Sequence, residues 1–165
     1  MNGNAIIAGS FHSSFSDSAA PWIPISGNWI ITSDQYKGEA TAANTWATSS
    51  YSDVSYSNFT YTVRMKRTGC DNCASRLTVR GSPFPLAPYN NWSNTYSFNI
   101  AANGNFSAWK YTNGSELQLA PWTSHAAIIQ GEAWNVLKVV AVNSNLQFYI
   151  NNTLVWSGSD AAFSS

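Results

Sequence analysis

Charged residues are scarce in this sequence, at 10% of 165 residues, whereas an average domain contains about 25%. Eight Lys and Arg residues balance eight Asp and Glu residues. Nucleic-acid binding is not expected, because contacts with phosphates need clustered Lys and Arg. No run of eighteen apolar residues occurs either, so the sequence predicts no membrane span.

Cysteine and histidine are almost absent. Cys70 and Cys73 form one Cys-x-x-Cys pair, which supplies half of a four-ligand zinc site. His12 and His125 are both remote from this pair in sequence. The pattern favours a small disulfide between Cys70 and Cys73 that pins a loop, ahead of free thiols and of a metal site.

Aromatic and small polar residues are abundant instead. The chain contains eight residues each of Trp, Tyr and Phe, and its polarity comes mainly from Ser, Thr and Asn. Uncharged surfaces of this kind are common on secreted β-proteins, so we expect an extracellular location. The first residues lack the pattern of a signal peptide, and we therefore expect either a removed leader or a longer parent protein.

Short apolar runs separated by asparagine corners dominate the second half of the chain. Asn tolerates positive φ, and Asn-Gly is the strongest short-range hairpin signal. Two antiparallel meanders are therefore predicted, each with three strands. The strands of the two meanders are Tyr96–Ala101, Asn105–Tyr111 and Ser115–Ala120, and then Val136–Val142, Leu146–Ile150 and Thr153–Trp156.

Further strands are predicted upstream. Apolar and polar residues alternate over Phe59–Lys66 with the period of a half-buried strand. Other predicted strands are Ala5–Phe11, Asn28–Thr32, the return Gln35–Ala43 and Ser75–Arg80. Trp29 and Trp134 are expected in the core.

Four segments are expected to be irregular. Gly81–Asn94 contains three prolines, which exclude regular pairing. Pro21–Pro24 is interpreted as an irregular aromatic segment and Asn44–Asp53 as a polar loop. Pro121–Glu132 is interpreted as a connection with one helical turn around His125–Ile129.

About eleven strands and almost no helix predict an all-β fold, a two-sheet antiparallel β-sandwich. A barrel is the alternative, but the long connections suit crossings between two sheets better. The length predicts a single domain over residues 1–165.

Three segments together resemble the concanavalin A-like jelly rolls of the laminin-G-like kind, in their bacterial extracellular form. They are Phe15–Asp17 followed by a Trp, Asn58–Lys66, and Trp134–Ala141 together with Leu146–Trp156. The last segment is similar to the pattern WN-x-L-x-V-x-A…L-x-F-Y-I-N-G-x-L-V, with Asn152 where Gly is usual. The resemblance implies a jelly roll, a fold that hosts lectins, carbohydrate-binding modules, glycoside hydrolases and adhesion domains.

The resemblance also implies an incomplete sheet. Members of this family usually continue beyond the last hairpin with further strands. Thr153–Trp156 is therefore expected at an unfilled sheet edge. Ala5–Phe11 or a strand of another subunit is the candidate neighbour, and a truncated chain that tolerates the open edge is the third alternative.

Catalytic patterns are missing from the sequence. Glycoside hydrolases of this fold generally carry paired carboxylates on one strand. The acidic residues here include no pair at i, i+2 or at i, i+4. No Gly-x-Ser-x-Gly motif occurs either. We therefore expect a non-enzymatic protein, with a glycoside hydrolase as the least favoured alternative.

Carbohydrate binding or adhesion is the first functional hypothesis, with a glycan or polysaccharide as partner. Aromatic rings stack on the apolar faces of sugars, while amides bind their hydroxyl groups. The candidate ligand-binding residues are Trp46, Tyr89, Trp92, Trp109 and Trp122. The alternative is a structural subunit of an extracellular filament or coat, assembled by strand addition next to Thr153–Trp156. No cofactor is expected except a structural calcium, which the resemblance implies and for which Asp17 is the candidate ligand.

Overall fold

Corners of asparagine and glycine separate many strands of this chain, because both residues adopt a positive φ at little cost. The Asn113–Gly114 corner has φ values of +49° and +78°, and the Asn151–Asn152 corner has values of +48° and +67°. The structure is a computed structural model that describes residues 11–51, 55–70 and 72–165. Twelve strands form in this part of the chain, and every pairing is antiparallel.

The chain divides into two compact units, Met1–Asp53 and Val54–Ser165. A single domain over residues 1–165 stays a prediction. The first unit contains two strand pairs, which are β1 (Trp22–Ser26) with β4 (Thr48–Tyr51), and β2 (Asn28–Thr32) with β3 (Gln35–Glu39). Of the predicted strand Ala5–Phe11, only Phe11 lies within the described residues, and its ring stacks on Tyr51 with the centroids 3.9 Å apart.

Two segments of the first unit that were predicted to be irregular are strands. Pro21–Pro24 contributes to β1, and Asn44–Asp53 contributes β4. Strand β1 pairs only with β4 in the described part of the chain. Its register shifts between Pro24 and Ser26. A proline fits such a position, because an edge strand with a bulge does not need every backbone N–H for pairing.

The second unit contains two four-stranded sheets. The first sheet contains, in spatial order, β12 (Thr153–Ser159), β11 (Asn145–Ile150), β10 (Asn135–Val142) and β5 (Phe59–Met65). The second sheet contains, in spatial order, β6 (Ala74–Ala87), β7 (Asn91–Ala101), β8 (Asn105–Thr112) and β9 (Ser115–Ser124). Both predicted meanders are confirmed.

The core of the second unit lies between these two sheets. Alternate residues of each strand point inward, as the period of two requires. Leu137 and Phe148 of the first sheet and Phe98 of the second sheet are fully buried. The rings of Phe98 and Phe148 lie 4.8 Å apart between centroids. The predicted two-sheet antiparallel sandwich is thereby confirmed.

The prediction of a long loop at Gly81–Asn94 is wrong. Strand β6 continues through this segment to Ala87, a 3-10 turn follows at Pro88–Asn90, and β7 begins at Asn91. The prolines are tolerated because β6 pairs only with β7 in the described part of the chain, and because its register shifts twice, between Val79 and Ser82 and between Ser82 and Leu86. The result is a long β6–β7 hairpin.

The connection between β9 and β10 contains no helical turn among its described residues. Strand β9 extends to Ser124, and a single turn follows in which the Ile128 N–H donates to the His125 carbonyl. The Asn135 amide then holds the connection in place by exchanging two hydrogen bonds with the Ile129 backbone. No helix of the described residues is long and apolar enough to cross a membrane.

The outer strand of the last meander is β12. Within the described residues, β12 pairs with β11 alone. Pairing of this edge with another chain stays a prediction. Beyond β12 the chain turns back to the second sheet, where the Tyr96 hydroxyl donates to Asp160 and the Phe163 ring packs on Tyr96 at 5.3 Å.

Candidate functional site

A pocket of about 230 Å³ opens at one end of the second sheet. An indole and three side-chain amides surround it. Its lining residues are Asn72, Ala101, Asn103, Asn105 and Trp122. The pocket therefore combines an aromatic surface with polar groups that carry no formal charge.

A bulge in β9 exposes Trp122. Phe106 pairs with Thr123 and Ala108 pairs with Ala120, so two residues of β9 lie opposite one residue of β8. Such a bulge re-aims a side chain. The Trp122 side chain, with the residue 46% exposed, lies at the pocket instead of in the core.

The disulfide loop supplies one wall of the pocket. Cys70 and Cys73 are bonded, with their Cα atoms 5.4 Å apart, and Asn72 lies between them. The loop is held from outside as well, because the Gly69 N–H donates to the Glu132 carboxylate at 2.8 Å. Asn72 is therefore presented to the pocket by a short segment that is fastened at two points.

The three amides of the pocket form a hydrogen-bonded chain. The Asn103 amide donates to Asn72 Oδ1 at 3.0 Å. Asn103 Oδ1 accepts from the Asn105 side-chain amide at 3.0 Å and from the Asn105 backbone N–H at 3.3 Å. These bonds orient Asn72 Nδ2 as a donor and Asn105 Oδ1 as an acceptor, and neither atom has a hydrogen-bond partner among the described residues.

The polar side chains that line this pocket are uncharged amides. None of the described lining residues is an acid, a base or a nucleophile. An amide donor, an amide acceptor and an indole ring suit a compact molecule with hydroxyl groups and an apolar face.

Of the five ligand-binding residues predicted from sequence, Trp122 alone lines the pocket. Tyr89 and Trp92 lie on the β6–β7 hairpin. Tyr89 is 64% exposed, whereas Trp92 is half-buried and its indole N–H has no partner in the described structure. Trp46 belongs to the first unit, where its carbonyl accepts a hydrogen bond from the Ser26 hydroxyl. Trp109 lies on the outer face of the second sheet.

That outer face is occupied by the chain's own side chains. The Arg76 guanidinium donates to Asn99 Oδ1 at 3.0 Å, to the Tyr111 hydroxyl at 3.1 Å and to Asn91 Oδ1. The Trp109 indole N–H donates to Ser107 at 2.8 Å. Burial lowers the pKa of Arg76, although Tyr111 and Glu116 partly offset this effect. The face is a closed network, and it leaves little polar capacity for a ligand.

Sequence reasoning missed the three asparagines of the pocket. In the sequence, Asn103 is part of an Asn-Gly pair that predicts a turn, and Asn72 lies between two cysteines, so neither position indicates a pocket. The asparagines come together because the β7–β8 corner lies against the disulfide loop. Asn72 and Asn103, which join the two, are thirty-one residues apart in sequence. The one signal available in the sequence was the presence of an asparagine side chain beside each turn.

The candidate metal ligand Asp17 lies in the first unit. It is exposed, and its carboxylate accepts a hydrogen bond from the Ser16 hydroxyl at 3.2 Å. The described residues contain no group of three or more His, Cys, Asp or Glu side chains that could hold a metal ion. Calcium binding stays a prediction.

Comparison with known proteins supports the fold. The family model for 3-keto-alpha-glucoside-1,2-lyase-like domains matches residues 15–163. Among solved structures, the carbohydrate-binding module CBM66 from Bacillus subtilis is similar, with a TM-score of 0.69 and 23% sequence identity. The similarity covers 87% of this chain and 81% of that chain. No curated protein matches this sequence. The resemblance to concanavalin A-like jelly rolls is confirmed.

Proposed function

We propose that this chain, which belongs to the family of 3-keto-alpha-glucoside-1,2-lyase-like domains, is a non-catalytic carbohydrate-binding module. The observation that carries the proposal is the pocket in which Trp122 faces a chain of three amides. The similar fold of a carbohydrate-binding module gives it further support. The proposed ligand is a neutral sugar, either the terminal unit or an internal unit of a saccharide chain.

The chemistry of the pocket favours a sugar over other small molecules. The indole of Trp122 offers a flat apolar surface to the C–H face of a sugar ring. Asn72 Nδ2 can donate to a hydroxyl group, and Asn105 Oδ1 can accept from one. Because a sugar hydroxyl both donates and accepts, neighbouring hydroxyls can satisfy both amide groups.

The family name refers to an enzyme, but the acids that the structure describes in the second unit, Glu116, Glu132 and Asp160, support a binding role. Elimination or hydrolysis of a glycoside needs a positioned acid or base. The Glu132 carboxylate accepts from the Gly69 N–H, Asp160 pairs with Lys110, and Glu116 hydrogen-bonds Tyr111. Each of these carboxylates is thus engaged away from the residues that line the pocket.

A secreted location follows from the same proposal. Disulfides such as Cys70–Cys73 form and persist in oxidising environments. The resemblance to bacterial extracellular domains agrees with this setting. Detection of the protein in the culture medium of its source would check the location.

The test of the binding site uses two variants on the same strand. An array of neutral oligosaccharides identifies the strongest ligand, and titration calorimetry then measures its affinity. Trp122→Ala should weaken binding at least tenfold, because stacking on the indole is lost. Leu117→Ala is the matched control, since Leu117 is also an exposed residue of β9, at 53%, but does not line the pocket.

Two outcomes would contradict the proposal. One is the absence of binding to any array sugar by the folded, oxidised protein. The other is an unchanged affinity of Trp122→Ala, with circular dichroism showing that both variants are folded. Turnover of a 3-keto-glucoside by the wild-type protein would overturn the non-catalytic part of the proposal alone.

A further inference from the structure

A line of positive charge crosses the outer face of the first sheet. Phe59, Tyr61, Val63 and Met65 pack against the core, so the intervening residues of β5 point outward. Arg64 is one of these residues, and Lys66 directly follows the last residue of β5 and is also exposed. Two residues at this spacing are about 7 Å apart along an extended chain. We call Arg64, Lys66 and Lys138 the cationic line.

Strand register places the third cation beside the other two. Lys138 of β10 lies directly opposite Thr62, and Val136 lies opposite Arg64. Lys138 is therefore a diagonal neighbour of Arg64, and such neighbours are about 7–8 Å apart. The three cations form a row across two adjacent strands.

Aromatic rings hold the cations against the sheet. The Arg64 guanidinium lies 4.7 Å and the Lys66 ammonium 5.5 Å from the centroid of the Trp134 ring. The Lys138 ammonium lies 4.1 Å from the centroid of Tyr149. Trp134 is thus half-buried beneath two cations on the outer face, and its predicted place in the core is wrong. The contacts restrict three long side chains before any ligand arrives, which lowers the entropy cost of binding.

No carboxylate of the described residues neutralises the cationic line. The ion pair found in the described part of the chain joins Lys110 and Asp160. The imbalance extends to the whole second unit, whose seven Lys and Arg residues exceed its four Asp and Glu residues. The zero net charge of the chain therefore hides an excess of positive charge in the unit that carries this face.

We propose that the cationic line binds an acidic polysaccharide, a linear chain of carboxylated sugars. A row of fixed cations is complementary to a linear polyanion. Exposed hydroxyl groups of Thr60 and Thr62 lie on the same face and can bind the hydroxyls of the sugar chain. The choice of a saccharide over other polyanions rests on the proposed function, whereas the surface itself is separate from the pocket at Trp122.

Single-stranded nucleic acid fits this face less well. Proteins that bind it stack its bases on aromatic side chains. Here each ring is already covered by a cation, at Trp134 and at Tyr149. The carboxylated sugar chain needs only the charges and the neighbouring hydroxyl groups.

The test measures affinity for polygalacturonate, with its fully methyl-esterified form as the uncharged control. Wild-type protein should bind the acidic polymer, bind the ester at least tenfold more weakly, and lose affinity as salt is raised. The triple variant Arg64→Gln, Lys66→Gln, Lys138→Gln should lose at least tenfold in affinity. The matched control is Lys37→Gln, which removes a cation from the first unit and should change nothing.

Further variants keep the test decisive. If the triple variant does not fold, the double variant Lys66→Gln, Lys138→Gln leaves Arg64 over Trp134 and should still lose several-fold in affinity. Trp122→Ala should bind polygalacturonate normally while losing neutral sugars, so failure of the pocket and failure of the cationic line are distinguishable.

Equal binding of the acid and the ester, or unchanged affinity of the folded variants, would overturn the proposal. Tighter binding to single-stranded DNA or to phosphatidylglycerol vesicles would overturn it in favour of another partner.

Discussion

The two sheets of the second unit use their outward-facing cations in opposite ways. Arg76 on the second sheet donates hydrogen bonds to Asn91, Asn99 and Tyr111, and its surroundings are largely closed. Arg64 on the first sheet is exposed above the Trp134 ring. Both residues occupy the same kind of position, since each alternates with core residues along a strand.

The β6–β7 hairpin accounts for the difference. Strand pairing places Arg76 opposite Asn99, yet the Arg76 guanidinium also reaches Asn91, eight residues earlier on β7. The far part of the hairpin therefore returns over the outer face of its own sheet. A polar face that becomes covered must satisfy its hydrogen bonds internally. An uncovered face keeps its charges free for a partner.

The largest effect that this comparison predicts is at Arg76. In Arg76→Met, three hydrogen-bond acceptors in a largely closed face each lose a donor, although Asn99 Oδ1 keeps the Ser97 hydroxyl. We expect a loss of about 3 kcal/mol in the free energy of unfolding. Arg76→Lys should lose most of this as well, because an ammonium cannot donate along three directions of a planar fork. Urea denaturation measures both changes. A loss below about 1 kcal/mol would mean that the network contributes little.

Local sequence signals predicted most of the second unit because they are independent of distant contacts. The Asn-Gly corner at Asn113–Gly114 and the alternation of Phe59–Met65 need no tertiary partner to be recognised. Gly81–Asn94 was misjudged since proline pairing depends on the place of a strand in its sheet. An edge position and two register shifts, which the sequence does not display, make the prolines acceptable.

The candidate site was less predictable for a related reason. Trp122 was one of five aromatic candidates, and nothing local distinguished it from Trp109. The bulge in β9 exposes Trp122, whereas a hydrogen bond to Ser107 holds Trp109 in place. Asn72 and Asn103 meet through a contact between a loop and a strand corner, which no local pattern encodes.

An intermediate effect is expected at Asp160, which pairs with Lys110 where both side chains are about one-fifth exposed. Its carboxylate also accepts from the Tyr96 hydroxyl and from the Ala162 N–H. Asp160→Asn should lower the free energy of unfolding by about 1–2 kcal/mol, because it weakens the charge-assisted hydrogen bonds without removing all of them. Thermal and urea unfolding at neutral pH measure the loss.

The pH dependence of Asp160 gives a second measurement of the same pair. Burial raises the pKa of Asp160, but hydrogen bonds from Lys110, Tyr96 and Ala162 outweigh this and place it below the ordinary value of 3.8. The unfolded chain then binds the proton more readily, so the stabilisation is present above pH 3.8 and declines as the pH falls through the lower folded pKa. The difference in stability between wild type and Asp160→Asn should shrink over that acidic range. A difference that stays constant down to pH 2 would show that the charge of Asp160 is unimportant.

The smallest effect on stability is expected at Arg64, the residue of the first sheet that corresponds to Arg76. Arg64→Met removes an exposed cation above Trp134, and an exposed cation–π contact contributes only about 0.5–1 kcal/mol. Methionine retains an apolar contact with the ring, so the net loss of stability should lie at or below about 0.5 kcal/mol. The same substitution should still weaken binding of polygalacturonate by several-fold.

That separation between stability and binding distinguishes the two faces. A structural cation such as Arg76 cannot be changed without loss of stability, whereas a cation free to bind a ligand can. If Arg64→Met costs as much as Arg76→Met in urea denaturation, the cationic line is part of the scaffold and its exposure has no functional meaning. If it costs little but also leaves polyanion binding unchanged, the outer face of the first sheet is inert. Only a small loss of stability together with a clear loss of affinity agrees with a surface whose charges are held ready for a partner.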